Sequence, residues 1–164
     1  MSAMTGMILT PRGLFFRGRT WPCTIGRSGI TCAKREGDGA TPAGLHRVTG
    51  LLYRADRLAR PTRWATPIGP RDLWSNDPAD PAYNGQTRAP HGFSHESLRR
   101  ADPLYDLILT TDWNQPAQPG RGSAIFLHQW RRPGYPTAGC IALSREDLHR
   151  IAPLAAPGTA LLVR

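Results

Sequence analysis

Short apolar runs separated by glycine and proline dominate the first third of the chain. Residues 7–10 and 14–17 read as two strands around Pro11, Arg12 and Gly13, a hairpin. Residues 21–25 and 30–33 read as a second hairpin around Gly26, Arg27, Ser28 and Gly29. Residues 34–44, "KREGDGATPAG", carry turn chemistry, and residues 45–54 read as a strand. Residues 57–100 show little periodicity; a stretch of that length is expected to be a lid or binding loop, with helical turns over residues 94–100. Its aromatics, Trp64, Trp74, Tyr83 and Phe93, argue against disorder. Residues 105–113 are β-rich. Residues 124–130 are almost continuously apolar, which predicts a central strand covered on both faces. Ser144, with Asp147 three residues on, predicts a helix start, with Leu148, Ile151 and Leu154 as its apolar face. Pro157 and Gly158 close that segment, and residues 159–164 read as a last strand. The expected fold is mainly β, with one clear helix.

Composition agrees with this pattern. The chain of 164 residues is long enough for one domain with a real core, and its 17 glycines and 16 prolines suit short strands and tight turns. The net charge is +9, carried by arginine apart from Lys34, and favours anionic partners. The arginines are scattered and no nucleic-acid-binding motif is present, so no nucleic-acid partner is expected. No stretch approaches the roughly 20 apolar residues of a membrane span. The opening residues lack a charged segment followed by an apolar one, the pattern of a signal peptide. Export by another route, retention in the cytoplasm, or a leader outside the given sequence all stay open.

The candidate chemistry lies in "HQWRRPGYPTAGC", from His128 to Cys140. Cys23 and Cys32 face each other if Arg27 and Ser28 form the hairpin loop; a disulfide and a pair of thiols are both open. Cys140 is then the odd thiol. Taken alone, Cys140 reads as a small buried thiol; with His128 near the end of a strand before it and a glycine turn and helix start around it, it reads as an acyl-transfer nucleophile with His128 as its base. Gly139 lets the backbone approach a substrate, and nearby amides could hold an oxyanion. Asn114 and Tyr83, with Asn84, read either as substrate contacts or as turn polarity. His91 and His95, four apart, read as cleft residues, as a solvated turn or as a weak zinc pair; no metal or other cofactor is expected. Arg131 and Arg132 could bind substrate carboxylates or be solvated, and Trp130 could wall a pocket or fill core.

The string "FLHQW…PTAGCIAL" resembles the catalytic motif of the YkuD-type L,D-transpeptidases, a histidine on a strand followed by Ser/Thr-His-Gly-Cys. Thr137, Gly139, Cys140 and Ile141 match that motif position by position. "GRSGITCAKREGDGATPAG", "LWSNDPADPAYN", "LYDLIL" and "GRGSAIFLH" resemble a compact bacterial branch, so the likeness covers most of the chain. Two positions depart: Ala138 stands where the family has histidine, and Ala142 where it has Asn or Arg. The loop between His128 and Cys140 is also short.

The resemblance implies a single catalytic domain over residues 1–164, a β-sandwich or mixed sheet with one helix after the cysteine. It implies Cys140 as nucleophile, His128 as base, Thr137 and Ala138 at the substrate, and no cofactor. The implied substrate is the peptidoglycan stem peptide, cross-linked 3–3 or, given the two alanines, 1–3, by a monomer in the periplasm or cell envelope. Hydrolysis at the same site, as an L,D-carboxypeptidase or amidase, is one alternative. A non-catalytic basic module that binds cell wall is another. The histidine-first order argues against papain-like and NlpC/P60 enzymes.

Overall fold

The computed structural model describes residues 5–164. Strands β1 (Met7–Thr10) and β2 (Gly13–Phe16) form the first hairpin, and β3 (Arg19–Trp21) extends it. Next come β4 (Cys23–Thr24), β5 (Ile30–Thr31), β6 (Thr41–Pro42) and the ten-residue β7 (Gly44–Tyr53). The middle of the chain gives β8 (Thr66–Pro67), β9 (Asp72–Ser75), β10 (Gln86–Arg88) and β11 (His95–Ser97). Then follow β12 (Leu107–Thr111), β13 (Phe126–Gln129), β14 (Ile141–Leu143), the helix α1 (Arg145–Ile151) and β15 (Ala160–Val163).

Ten of these strands make one sheet, ordered β3-β2-β1-β15-β7-β12-β13-β14-β4, with β8 on β7. Only Pro22 separates β3 at one end of that order from β4 at the other. The sheet therefore curls until its two ends share one chain segment, which makes it nearly a barrel. Proline fits at that corner because it has no N–H for a ladder to require. Strand β7 is the spine: Gly44–Arg47 pair with β15, and Val48–Tyr53 pair with β12.

The alternation of side chains across the sheet divides the core in two. Leu51, Leu109, Leu127, Ile141 and Leu143 point to one face, where Leu148 and Ile151 of α1 pack with them. Leu52, Ile108 and Phe126 point to the other face and are covered by Leu98, with Trp74 and Leu104 packed against them. Both faces of β13 are thus covered, which explains its continuous apolar run. The cover on the second face is the three-stranded sheet β10-β9-β11.

That small sheet is what the weakly periodic residues 57–100 become. The helical turns expected over residues 94–100 are replaced by β11, because the edge of β9 offers ladder partners and Leu98 must turn inward. His91 and His95 consequently share no helix face. The second expected hairpin also fails. The turn itself forms, with the Gly29 N–H donating to the Gly26 carbonyl at 2.9 Å. Its arms then diverge: β4 pairs with β14, and β5 pairs with β6. Cys23 and Cys32 are not cross-strand partners, and all three cysteines are free thiols. The helix starts as expected, with Ser144 Oγ accepting the Asp147 N–H at 3.1 Å, but Leu154 is exposed because α1 ends at Ile151.

Candidate active site

Register places His128 and Cys140 together. Strands β13 and β14 run parallel, with His128 opposite Ala142. Cys140 precedes Ala142 by two residues, so it faces the same side as His128, one step along the neighbouring strand. Between them residues 131–136 are exposed. The returning segment is pinned by Arg27 N–H to the Thr137 carbonyl and Thr137 N–H to the Ile25 carbonyl, both 2.9 Å.

The turn carrying the cysteine is built from four hydrogen bonds to two threonine hydroxyls and from one glycine. Thr137 Oγ1 donates to the Cys140 carbonyl at 2.6 Å and accepts the Gly139 N–H at 3.0 Å. Buried Thr41 Oγ1 donates to the Gly139 carbonyl and accepts the Gly26 N–H, both at 2.9 Å. Gly139 has φ +144°, and a Cβ there would lie 2.8 Å from the Ala40 carbonyl oxygen. Only glycine fits both constraints. Lys34 packs behind this turn: its Nζ would be 3.5 Å from that Cβ and pairs with Asp38 at 2.5 Å.

The imidazole and the thiol are both shifted toward their neutral forms. His128 Nδ1 lies 2.7 Å from the Gln129 carbonyl, which can only accept. The ring proton therefore sits on Nδ1 and leaves Nε2 with a free lone pair. Burial lowers the His128 pKa to about 4. Cys140 Sγ donates to the Ala124 carbonyl at 3.0 Å. Burial, and then the Glu96 carboxylate, push its pKa up to about 12, against opposing pulls from the Phe126 amide and Lys34. The neighbouring-imidazolium route to a resting thiolate, which the sequence allows, is thus absent; an imidazole in this state is chemically able to accept a proton.

The carbonyl that holds the thiol is itself under strain. Ala124 adopts φ +54°, a conformation that costs a non-glycine residue about 1–3 kcal/mol. Asn84 Oδ1 secures it by accepting the Ala124 N–H at 3.0 Å, while Asn84 Nδ2 donates to the Trp113 carbonyl at 2.8 Å.

Both side chains open into one cavity of about 470 Å³. Of the residues expected at the substrate, Thr137, Ala138 and Trp130 line it. Gly139, buried in the turn, does not itself line it. Arg132 does not line it but stacks its guanidinium 4.9 Å from the ring of Tyr135, which does. Three others are placed elsewhere, with their polar groups engaged. Asn114 Nδ2 donates to the Gln118 and Gly122 carbonyls, both at 3.0 Å. Tyr83 is buried, donating to Glu36 at 2.5 Å and accepting the Gly122 N–H at 3.0 Å. His91 Nε2 lies 2.5 Å from Asp80 Oδ2. These three are scaffold for loops rather than walls of the cavity. Among the described residues no group of three or more His, Cys, Asp or Glu is placed to hold a metal.

The cavity also contains residues that sequence reasoning missed. Glu96 and Arg100 come from the small sheet and the residues after it, Tyr105 precedes β12, and Arg27 comes from the turn after β4. Tyr105 donates to Glu96 Oε2 at 2.7 Å, and its ring meets the His128 imidazole edge-on at 5.4 Å. No sequence signal marked Glu96, since it lies in a stretch without periodicity.

No curated protein matches the chain in sequence. The family model of the YkuD L,D-transpeptidase catalytic domain matches residues 10–163. That span takes in the covering sheet, every residue lining the cavity and the curled sheet apart from residues 7–9 of β1. The chain belongs to the YkuD L,D-transpeptidase catalytic domain family.

Proposed function

We propose that this protein is a peptidoglycan L,D-transpeptidase, one catalytic domain over residues 1–164, acting as a monomer in the cell envelope. Cys140 is its nucleophile and His128 its general base. The observation that carries this reading is the shared orientation of His128, on β13, and Cys140, just before the adjacent β14, into one cavity, with Nε2 of a neutral imidazole free. Family membership supports peptidoglycan as the substrate and the envelope as the place of action. No helix among the described residues is long and apolar enough to cross a membrane.

The thiol rotates from the Ala124 carbonyl toward Nε2, which takes its proton as sulfur attacks a stem-peptide carbonyl. Because the Gly139 N–H is bonded to Thr137 Oγ1, the oxyanion falls to the Cys140 N–H. His128 returns the proton to the departing amine, and a thioester remains on Cys140. An amine of a second stem peptide then attacks the thioester and forms the cross-link; water in its place gives the carboxypeptidase outcome. Ala138 and Ala142 leave space where the family carries larger polar side chains, which supports a donor or acceptor geometry of the 1–3 kind beside the 3–3 kind.

The test is covalent labelling by a carbapenem, read by intact-protein mass. A single adduct is expected on the wild type and none on Cys140→Ala, with His128→Ala strongly slowed. An adduct that survives Cys140→Ala, or a folded wild type that never reacts, overturns the assignment.

A further inference from the structure

The second half-reaction sets a requirement that Cys140 and His128 leave unmet. A stem-peptide amine is an ammonium at neutral pH, since lysine-type amines titrate near about 10. One proton must leave before its lone pair exists, and a second leaves as the new amide forms. His128 offers one acceptor atom, Nε2, which serves the second proton.

We propose that Glu96, held by Tyr105, is the site that binds the acceptor ammonium and removes its first proton. This inference rests on the transpeptidase reading above. Glu96 is the only carboxylate among the described residues lining the cavity, which it shares with Arg27, Arg100 and Arg131. Its Oε2 accepts the Tyr105 hydroxyl at 2.7 Å, while Oε1 has no bonded protein partner among the described residues. The nearby Arg100 does not pair with it; that guanidinium grips Asp102 at 2.9 and 2.6 Å. Glu96 is also close enough to Cys140 to disfavour its thiolate. The carboxylate therefore shares the cavity with the nucleophile and stands one tyrosine ring away from the base.

The balance of the step follows. Glu96 takes a proton from the bound ammonium and becomes a carboxylic acid. The freed amine attacks the thioester carbonyl, so that an N–C bond forms and the C–S bond breaks. The amine's second proton passes to His128 Nε2 and on to the departing thiolate of Cys140. Glu96 then loses its proton to solvent when the product leaves. Burial raises the pKa of Glu96, which brings it closer to the range in which it can both accept and release a proton. Occupation of Glu96 by a cation also removes the negative charge that disfavours the thiolate, so acceptor binding and thiolate departure support each other.

A merely structural role, tying β11 to the segment before β12, requires a different result from the same experiment. Glu96→Gln keeps an oxygen for the Tyr105 hydroxyl but can neither pair with an ammonium nor take its proton. Acylation of the variant by a carbapenem, and transfer from a stem-peptide donor to a stem-peptide amine, are measured side by side. Transfer is expected to fall about 100-fold relative to acylation, with a raised KM for the acceptor and a larger share of hydrolysis. Hydroxylamine, which is unprotonated at neutral pH, should be used by the variant nearly as well as by the wild type. Equal losses in acylation and in transfer to both amines, or no loss in transfer, overturn the role of Glu96. In either case the wild-type Cys140 adduct still forms, which separates this failure from failure of the transpeptidase assignment.

Discussion

Acidification is the perturbation that best separates a resting neutral pair from a resting ion pair. Burial holds His128 at about 4, below the ordinary histidine value. The neutral, base-competent imidazole should persist as pH falls, until about 4. At about pH 5, roughly nine-tenths of such an imidazole is neutral, against about three parts in a hundred for an ordinary histidine, a difference of about 30-fold. Trp130 lines the cavity and gives a fluorescence signal for stopped-flow measurement of carbapenem acylation. The rate constant is expected to stay within about twofold between pH 7 and 5 and to halve only near 4. A half-maximum near 6.5 would refute the burial argument. The same shift acts on stability, in a direction that follows from its sign. Below about 6.5 the unfolded chain takes up a proton that folded His128 refuses, so stability falls as pH drops toward about 4, by about 3 kcal/mol at most from this group.

Three further outcomes are expected. Gly139→Ala places a Cβ 2.8 Å from the Ala40 carbonyl at φ +144° and should cost about 2–4 kcal/mol, read as a lowered melting temperature; an unchanged melting temperature would contradict the turn geometry. Thr41→Val keeps the shape but strands the Gly26 N–H and the Gly139 carbonyl, at about 1–3 kcal/mol in chemical denaturation and with slower carbapenem acylation. Iodoacetamide at neutral pH should label exposed Cys32 well before Cys140, whose thiol is held protonated by burial, as peptide mapping will show; faster labelling of Cys140 would argue for a resting thiolate.

The parts of the fold legible in sequence are those decided by local chemistry or by a strong apolar run. The Met7–Thr10 hairpin, the Ser144 cap and the doubly covered β13 belong here. Strand pairings between distant segments were not legible. The turn at Gly26–Gly29 signalled a hairpin, yet β14 and β6 claimed its two arms, so the cysteines separated. Of the site, His128 and Cys140 could be read because they share one stretch of chain. Glu96, Tyr105 and Arg27 could not, since the covering sheet and the curl of the large sheet bring them in from other parts of the sequence. Asn84 and Asn114 drew attention as polar residues, but both have positive φ and use their side chains to hold loop backbone. Polar turn residues with such backbone angles leave the same mark in sequence as substrate contacts do.

Mass spectrometry of the muropeptides formed by the pure enzyme from isolated disaccharide-peptides tests the central claim most directly. Cross-linked dimers are expected with the wild type and absent with Cys140→Ala, and fragmentation will assign the link as 3–3 or 1–3. Truncated monomers without dimers, or dimers that persist without Cys140, would contradict an acyl-transfer site at Cys140 that makes cross-links.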